Sequence, residues 1–176
     1  ASVTISGSGT SDGGEIEINA DTGIKLDNAD ADLVSFMATG SGGQGSAGLI
    51  DINADVDADG TGTFLLSDVG VTLATDSDTD ANIDISGGDF SLTADATIDA
   101  GTGTLLIAPG SSKAVEIGTG DANFGISNTE INFVDEASSL VIGQTNGTTT
   151  ASSITIDGAF NLSTITTAPG NVTLIT

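Results

Sequence analysis

Cysteine and histidine, the two residue types with the widest catalytic and metal-binding use, are absent from this 176-residue chain. Without cysteine the chain forms no disulfide and offers no thiol nucleophile. Without histidine it has no Ser/His/Asp arrangement, and without either residue it lacks the usual zinc ligands. The sequence alone therefore excludes the commonest nucleophilic and zinc-dependent mechanisms.

Aromatic residues are almost as scarce. The sequence has no tryptophan, tyrosine or arginine, and its six aromatic residues are all phenylalanine. Polysaccharide-cleaving enzymes on β-helical folds need aromatic rings that stack on sugars, and they usually need basic residues as well. Carboxylate pairs alone are a weak basis for glycoside hydrolysis. The sequence therefore predicts a protein that is not an enzyme.

Positive charge is confined to Lys25 and Lys113, against 25 acidic residues, which gives a formal net charge of −23 at pH 7. Such a surface repels phosphate backbones and anionic lipid headgroups. Nucleic acid is therefore not an expected partner. Two interpretations of the acidity stay open, namely solubility and the binding of divalent cations.

Long hydrophobic runs are also missing, since no stretch approaches the ~20 consecutive apolar residues of a membrane-spanning helix. Membrane insertion is therefore not expected. The first residues, Ala1–Thr4, show no initiator methionine, basic region or apolar signal region, as in a processed or excised chain. A cytosolic protein with two basic residues in 176 would be unusual. The predicted location is extracellular, at the cell surface.

A short apolar phrase recurs along the chain. Each copy has two branched apolar residues separated by one residue that is usually polar, and turn signals such as Gly87-Gly88 and Pro109-Gly110 lie between copies. The first four copies are about 33 residues apart, and the fifth follows after a longer interval. The copies are Glu15–Ile18, Leu49–Ile52, Asn82–Ile85, Ala114–Ile117 and Ser153–Ile156.

Short strands in this number are compatible with a sandwich, a barrel or a parallel β-helix. In a sandwich each strand has its own identity, whereas in a β-helix equivalent positions stack and their phrases recur. The sequence therefore predicts an all-β fold, a parallel β-helix (β-solenoid) with little or no α-helix. Residues 1–176 are predicted to form a single β-solenoid domain with repeats of about 33 residues.

The end coils of a β-helix expose apolar interiors and unpaired backbone groups. No stretch near either end of the sequence has the pattern of a capping helix. We therefore expect a segment of a longer chain, or a subunit that self-associates through open β-helix ends or strand edges.

Residues 131–176 carry phrases of a more specific kind, which are Ile131–Glu136, Leu140–Gly147, Ile154–Ala159 and Gly170–Thr176. This region resembles the repeats of large secreted exoproteins similar to filamentous haemagglutinin, in which phrases of these types recur. The resemblance implies a right-handed parallel β-helix on a bacterial surface, exported through an outer-membrane partner. It also implies an adhesive or structural stalk without catalytic residues.

The sharpest local motif is Asp55-Val56-Asp57-Ala58-Asp59-Gly60. Asp55, Asp57, Asp59 and Gly60 match the first half of a calcium loop, in which alternating carboxylates converge on one hard cation and the glycine permits a sharp turn. The second half does not match, because Leu66 stands where the bidentate glutamate belongs. The three aspartates are therefore candidate Ca²⁺ ligands.

An extended conformation is the alternative for this stretch. It would place Asp51, Asn53, Asp55, Asp57 and Asp59 on one solvated face.

Three sequons for N-glycosylation are present, at Asn146, Asn161 and Asn171. They arise easily by chance in a threonine-rich chain, and they matter only where the source glycosylates its surface proteins.

Three functions follow as hypotheses. The first is a non-catalytic structural or adhesive stalk segment of an extracellular surface protein, with a ligand on a host or neighbouring cell surface. The second is a subunit of an extracellular filament or sheath that stacks end to end. The third is a surface module that depends on calcium.

Overall fold

Short strands in parallel sheets make up most of the chain in the computed structural model, and helix is almost absent from the residues that it describes. The prediction of an all-β chain with little helix is confirmed. The structure describes residues 2–6, 14–27, 34–39, 48–67, 70–75, 81–93, 96–119, 124–145, 148–163, 165 and 169–176.

Nineteen strands and one short helix alternate with turns along these residues. Among them no helix has the length and apolar character needed to cross a membrane. The elements are β1 (Ser2–Ser6), β2 (Ile16–Asn19), β3 (Gly23–Leu26), β4 (Val34–Thr39), β5 (Ile50–Asn53), β6 (Thr63–Leu66), β7 (Val71–Thr75), β8 (Ile83–Gly87), β9 (Asp89–Leu92), β10 (Thr97–Asp99), β11 (Thr104–Pro109), β12 (Lys113–Gly118), β13 (Gly125–Ser127), α1 (Asn128–Ile131), β14 (Val134–Glu136), β15 (Ser139–Ile142), β16 (Gln144–Thr145), β17 (Thr148–Thr149), β18 (Ala151–Asp157) and β19 (Asn171–Leu174).

Parallel pairing joins all of these strands except the antiparallel hairpin β16–β17. A five-stranded sheet has the order β1-β4-β7-β10-β14, and a six-stranded sheet, called the long sheet below, has the order β2-β5-β8-β11-β15-β19. Two three-stranded sheets have the orders β3-β6-β9 and β13-β12-β18. From β1 to β11 the chain therefore visits three sheets in a fixed rotation.

The first three apolar phrases stack directly on one another in the long sheet. Ile16 pairs with Ile50, and Ile50 pairs with Ile83. The next position of this ladder is Leu105 in β11, which does not belong to the fourth phrase.

The fourth and fifth phrases lie in a different sheet. Val115 of β12 pairs with Ile154 of β18, and Ile117 pairs with Ile156. The alternation of apolar and polar residues is the same in both sheets, because it reports only which face of a strand is buried. The phrase therefore identifies strands without identifying the sheet that each one joins.

Alternate side chains of the strands point into an apolar core. In β5, β6 and β9 every second residue is buried. Phe64 and Phe90 occupy adjacent positions of the β6–β9 ladder, and their ring centroids lie 6.0 Å apart. Burying a large apolar side chain contributes about 1.5–3 kcal/mol, so stacked positions of this kind supply much of the stability of the cysteine-free chain.

The outer face of the long sheet carries polar side chains instead. Two ladders run side by side across β2, β5 and β8, one of them acidic and the other made of amides and a hydroxyl. The first consists of Glu17, Asp51 and Asp84, and the second of Asn19, Asn53 and Ser86. Like charges directly opposite each other on neighbouring strands repel, so the potential at this face is strongly negative. The hairpin strand β16 packs against β11 of the same sheet.

Candidate cation site

The acidic loop, residues 54–62, connects β5 to β6. Asp55, Asp57 and Asp59 each place one carboxylate oxygen so that these atoms lie within 4.8 Å of one another. Ca²⁺ binds oxygens at 2.3–2.6 Å, so two ligands of one ion are at most about 5 Å apart. The structure therefore brings the three predicted residues together at a separation that suits a single cation, and no other group of acidic side chains in the described ranges converges in this way.

Local hydrogen bonds explain why the loop reverses here. The backbone N–H of Asp55 donates to Oδ1 of Asn53 at 3.1 Å, and the carbonyl oxygen of Asp55 accepts from the N–H of Ala58 at 3.0 Å. Ala58 has a φ of 56°, in the left-handed region that most residues avoid. The chain thus folds back before Asp59, which directs the three carboxylates toward one another.

Asp55 is the anchor of the loop, because its side chain is only 1% exposed whereas Asp57 and Asp59 are exposed. Both of its carboxylate oxygens accept hydrogen bonds from the N–H of Gly60, at 3.2 and 3.0 Å. Gly110 packs against it so closely that a Cβ atom there would lie 2.8 Å from that of Asp55. Contacts with the turn that follows β11 therefore fix the position of the Asp55 carboxylate.

Lys113 holds the end of the loop from a distant part of the sequence. Its Nζ donates hydrogen bonds to the carbonyl oxygens of Gly60 and Gly88, at 2.5 and 2.7 Å. Its positive charge is also one of the influences that lower the pKa of Asp59. Sequence reasoning counted Lys113 only toward the net charge, and no local pattern pointed to this contact.

The carboxyl groups of the loop differ in their affinity for protons. Burial raises the pKa of Asp55, and the charges of Asp59 and Asp57 raise it further, although the hydrogen bond from Gly60 acts in the opposite direction. Hydrogen bonds from the hydroxyl and N–H of Thr61 lower the pKa of Asp59. Asp55 is therefore the member of this pair that takes up a proton first on acidification.

Three carboxylates form a hard oxygen set, which suits Ca²⁺ better than a softer transition metal. Calcium takes six to eight oxygens, and the exposure of Asp57 and Asp59 leaves room for water to supply some of them. Calcium binding at Asp55, Asp57 and Asp59 stays a prediction.

The extended alternative for this stretch is wrong, because β5 ends at Asn53 and the following residues form turns. Asp51 and Asn53 lie on the outer face of the long sheet, separate from the loop carboxylates. Leu66, at the position of the missing calcium-loop glutamate, is fully buried in the core.

The glycosylation candidates have different positions. Asn146 lies outside the described residues. Asn161 and Asn171 are exposed, and Oδ1 of Asn161 accepts a hydrogen bond from the N–H of Ser163 at 3.0 Å. Modification at Asn161 and Asn171 stays a prediction.

A half-buried carboxylate, that of Glu130, was missed by sequence reasoning. Ser127 and Glu130 form a capping box at the start of α1, and Oε1 of Glu130 also accepts a hydrogen bond from the N–H of Leu92 at 3.3 Å. Burial raises the pKa of Glu130, and the hydrogen bonds from Ser127 and Leu92 partly offset this. The pattern Ser-x-x-Glu was the available signal for the cap, whereas the bond to β9 had none.

Comparison of the chain with protein-family models, curated protein sequences and solved structures found no match. The case for a function therefore comes from the residues and their arrangement.

Proposed function

We propose that the chain is a right-handed parallel β-helix that serves as a non-catalytic structural and adhesive segment of an extracellular surface protein similar to filamentous haemagglutinin. The observation that carries this proposal is the long sheet, in which six parallel strands pair in sequence order. Each return of the chain to this sheet completes one coil. The right hand follows from the strong preference of parallel crossover connections.

The region that resembles exoprotein repeats supports the same proposal. Its phrases Leu140–Ile142 and Val172–Leu174 stack directly on each other in β15 and β19. Repeats that stack in register are what a stalk requires, because each coil then buries the apolar face of its neighbour.

The charge and composition support an extracellular, non-catalytic role. Acidic and hydroxyl side chains on outward positions keep an elongated surface soluble. Stacked apolar ladders supply stability without disulfides. A structural segment needs no catalytic group, which agrees with the absence of histidine and cysteine.

Distances between spin labels test the stacked fold, and the cysteine-free chain makes labelling unambiguous. Glu17 and Thr173 occupy the same ladder, five strand steps apart. With about 4.8 Å per step, the backbone separation between labels in Glu17→Cys/Thr173→Cys should be about 24 Å. The matched pair Glu17→Cys/Leu106→Cys should give about 14 Å. Equal distances in the two variants would contradict a stack.

Antibody labelling tests the location. Antibodies raised against the purified chain should label intact cells of the source organism. Labelling that requires permeabilised cells would contradict a surface role.

Exposed apolar side chains favour a second candidate function, the self-assembling filament subunit. Ile156 in β18 is 56% exposed, and Val172 and Leu174 in β19 are each 41% exposed. In the part of the chain that the structure describes, β18 and β19 each pair along one edge only. An apolar strand with a free edge is a template for another strand. Fibres of uniform width that form with rising concentration would support assembly, and persistent monomers would remove it.

The acidic loop favours the third candidate, a calcium-dependent surface module. Its three converging carboxylates are the supporting observation. Calcium is expected to raise the melting temperature of the chain.

A further inference from the structure

A polar cleft of about 240 Å³ lies between the outer face of the long sheet and the hairpin β16–β17. The sheet contributes Asn19, Asp51, Asn53 and Ser86, and the hairpin and the residue after it contribute Thr148 and Thr150. None of these residues belongs to the carboxylate cluster of the acidic loop. The cleft adjoins the acidic loop through Gly110, which lines the cleft and packs against Asp55, but the carboxylate of the cleft is that of Asp51.

Most residues that line this cleft are polar, and the potential there is negative. Asp51 is its carboxylate, and Glu17 and Asp84 are the adjacent members of the same ladder. Burial raises the pKa of Asp51, as do the charges of Glu17 and Glu15. An anionic ligand is excluded by this field, and a purely apolar ligand would leave the polar walls without partners.

Thr150 adds a hydrogen-bonding group without a partner. Its hydroxyl oxygen is fully buried and has no hydrogen-bond partner among the residues that the structure describes. Buried polar groups are usually paired with protein, water or ligand. This oxygen is closed to solvent, so a ligand donor reaches it only when the Thr150 side chain turns toward the cleft that it lines. Asp51 and Ser86 are the other lining residues whose oxygens can accept from a ligand that carries several donors.

We propose that this cleft binds the guanidinium group of an arginine side chain from a partner protein. A volume of about 240 Å³ is large for a bare metal ion, and the lining contains a single carboxylate. A guanidinium carries five donors in a plane and is weakly hydrated, and it pairs with a carboxylate through two parallel hydrogen bonds. Asp51 is the proposed partner for that pair.

This inference deepens the adhesive role proposed above and rests on it, because it names the chemistry of the surface that is bound. The stacked fold itself requires no ligand. If the spin-label distances match the expected values and the arginine peptide does not bind, the inference is wrong and the proposed structural role is unaffected.

A titration monitored by two-dimensional ¹H–¹⁵N NMR tests the proposal with the whole chain. The probe is the peptide acetyl-Gly-Arg-Gly-amide, with lysine and citrulline versions as matched controls. Citrulline has nearly the same shape as arginine but no charge. We expect the arginine peptide to shift the amide signals of Ser86, Thr148 and Thr150, and to bind more tightly than either control.

The variant Asp51→Asn should weaken binding of the arginine peptide by about tenfold or more. Asp157→Asn, which removes the same charge from an exposed position of β18, should leave it unchanged. Thr150→Val keeps the shape of the side chain and should also weaken binding of the arginine peptide. This variant tests the proposal if Asp51→Asn fails to fold.

Three results would overturn the proposal. The first is equal binding of the citrulline peptide, and the second is equal binding of the lysine peptide. The third is a response of the same signals to Ca²⁺ or to glucose when the arginine peptide produces none.

Discussion

The ammonium group of Lys113 donates a hydrogen bond of 2.5 Å to the carbonyl oxygen of Gly60, 53 residues earlier in the chain. A second bond from the same nitrogen reaches Gly88 at 2.7 Å. One side chain at the start of β12 thus joins the connections that follow β5 and β8. This arrangement makes the acidic loop part of the stacked structure.

Replacing Lys113→Met should destabilise the fold, because two backbone carbonyls lose a charged donor. The expected decrease in the free energy of unfolding is about 1–3 kcal/mol, measured by urea denaturation. Lys25→Met is the matched control, since Lys25 is 56% exposed and pairs with Asp27 at the surface. Its loss should cost less than about 1 kcal/mol. Equal decreases in the free energy of unfolding for the two substitutions would contradict a stabilising role for the two hydrogen bonds of Lys113.

Calcium should raise the melting temperature of the chain by binding the acidic loop in the folded state. At a calcium concentration 100 times the dissociation constant, the gain would be about 2.7 kcal/mol. Asp57→Asn should reduce this gain, and because Asp57 is exposed the metal-free fold should be preserved. Asp157→Asn serves as the control for charge. A melting temperature that is unchanged across a calcium titration argues against the site.

Glu130 should make stability depend on pH in a defined direction. Because its pKa is raised in the folded state, folding favours the protonated form. This contribution is present below the ordinary glutamate pKa of about 4.3 and is lost as the pH rises from there through the higher folded pKa. The stability of the wild type relative to Glu130→Gln should therefore fall over this range, by at most about 1.4 kcal/mol per pH unit.

Urea denaturation of both proteins between pH 4 and 7 measures this difference. Glutamine keeps an oxygen that can accept from Leu92, but its amide nitrogen cannot accept from Ser127, so the substitution also weakens the cap. The loss of the cap contributes an offset that does not depend on pH, and the pH-dependent part of the difference reports the charge. An increase in the relative stability of the wild type with pH would show that the hydrogen bonds to Glu130 outweigh its burial.

Gly88→Ala should be strongly destabilising, because a Cβ atom there would lie 2.6 Å from the backbone carbon and oxygen of Gly60. Neither atom can move without displacing the acidic loop, so we expect a loss of about 1–3 kcal/mol. At Gly170 the nearest atom would be 3.7 Å away, and Gly170→Ala should change stability by about 0.5 kcal/mol or less. Thermal unfolding of both variants provides the comparison.

Much of the candidate site could be predicted from the sequence. The spacing of Asp55, Asp57 and Asp59, followed by Gly60, indicated converging carboxylates, and the structure brings those oxygens together. The buried position of Asp55 could not be predicted, because it depends on Gly110, in the turn that follows β11 and far from Asp55 in the sequence. Sequence reasoning also missed the cleft around Asp51, because the hairpin that lines it is close to Asp51 in space but far from it in the sequence.

The sequence by itself determined the all-β character of this protein and the exclusion of histidine and cysteine chemistry, because strand propensity, alternation and composition are local properties. Only the tertiary structure decided that Leu105 continues the ladder of Ile83 and that Val115 pairs with Ile154. Equivalent strand phrases carry the same alternation, so their partners are selected by the packing of the whole stack. The contacts of Lys113 were decided in the same way, by turns that approach one another only after the parallel sheets have formed.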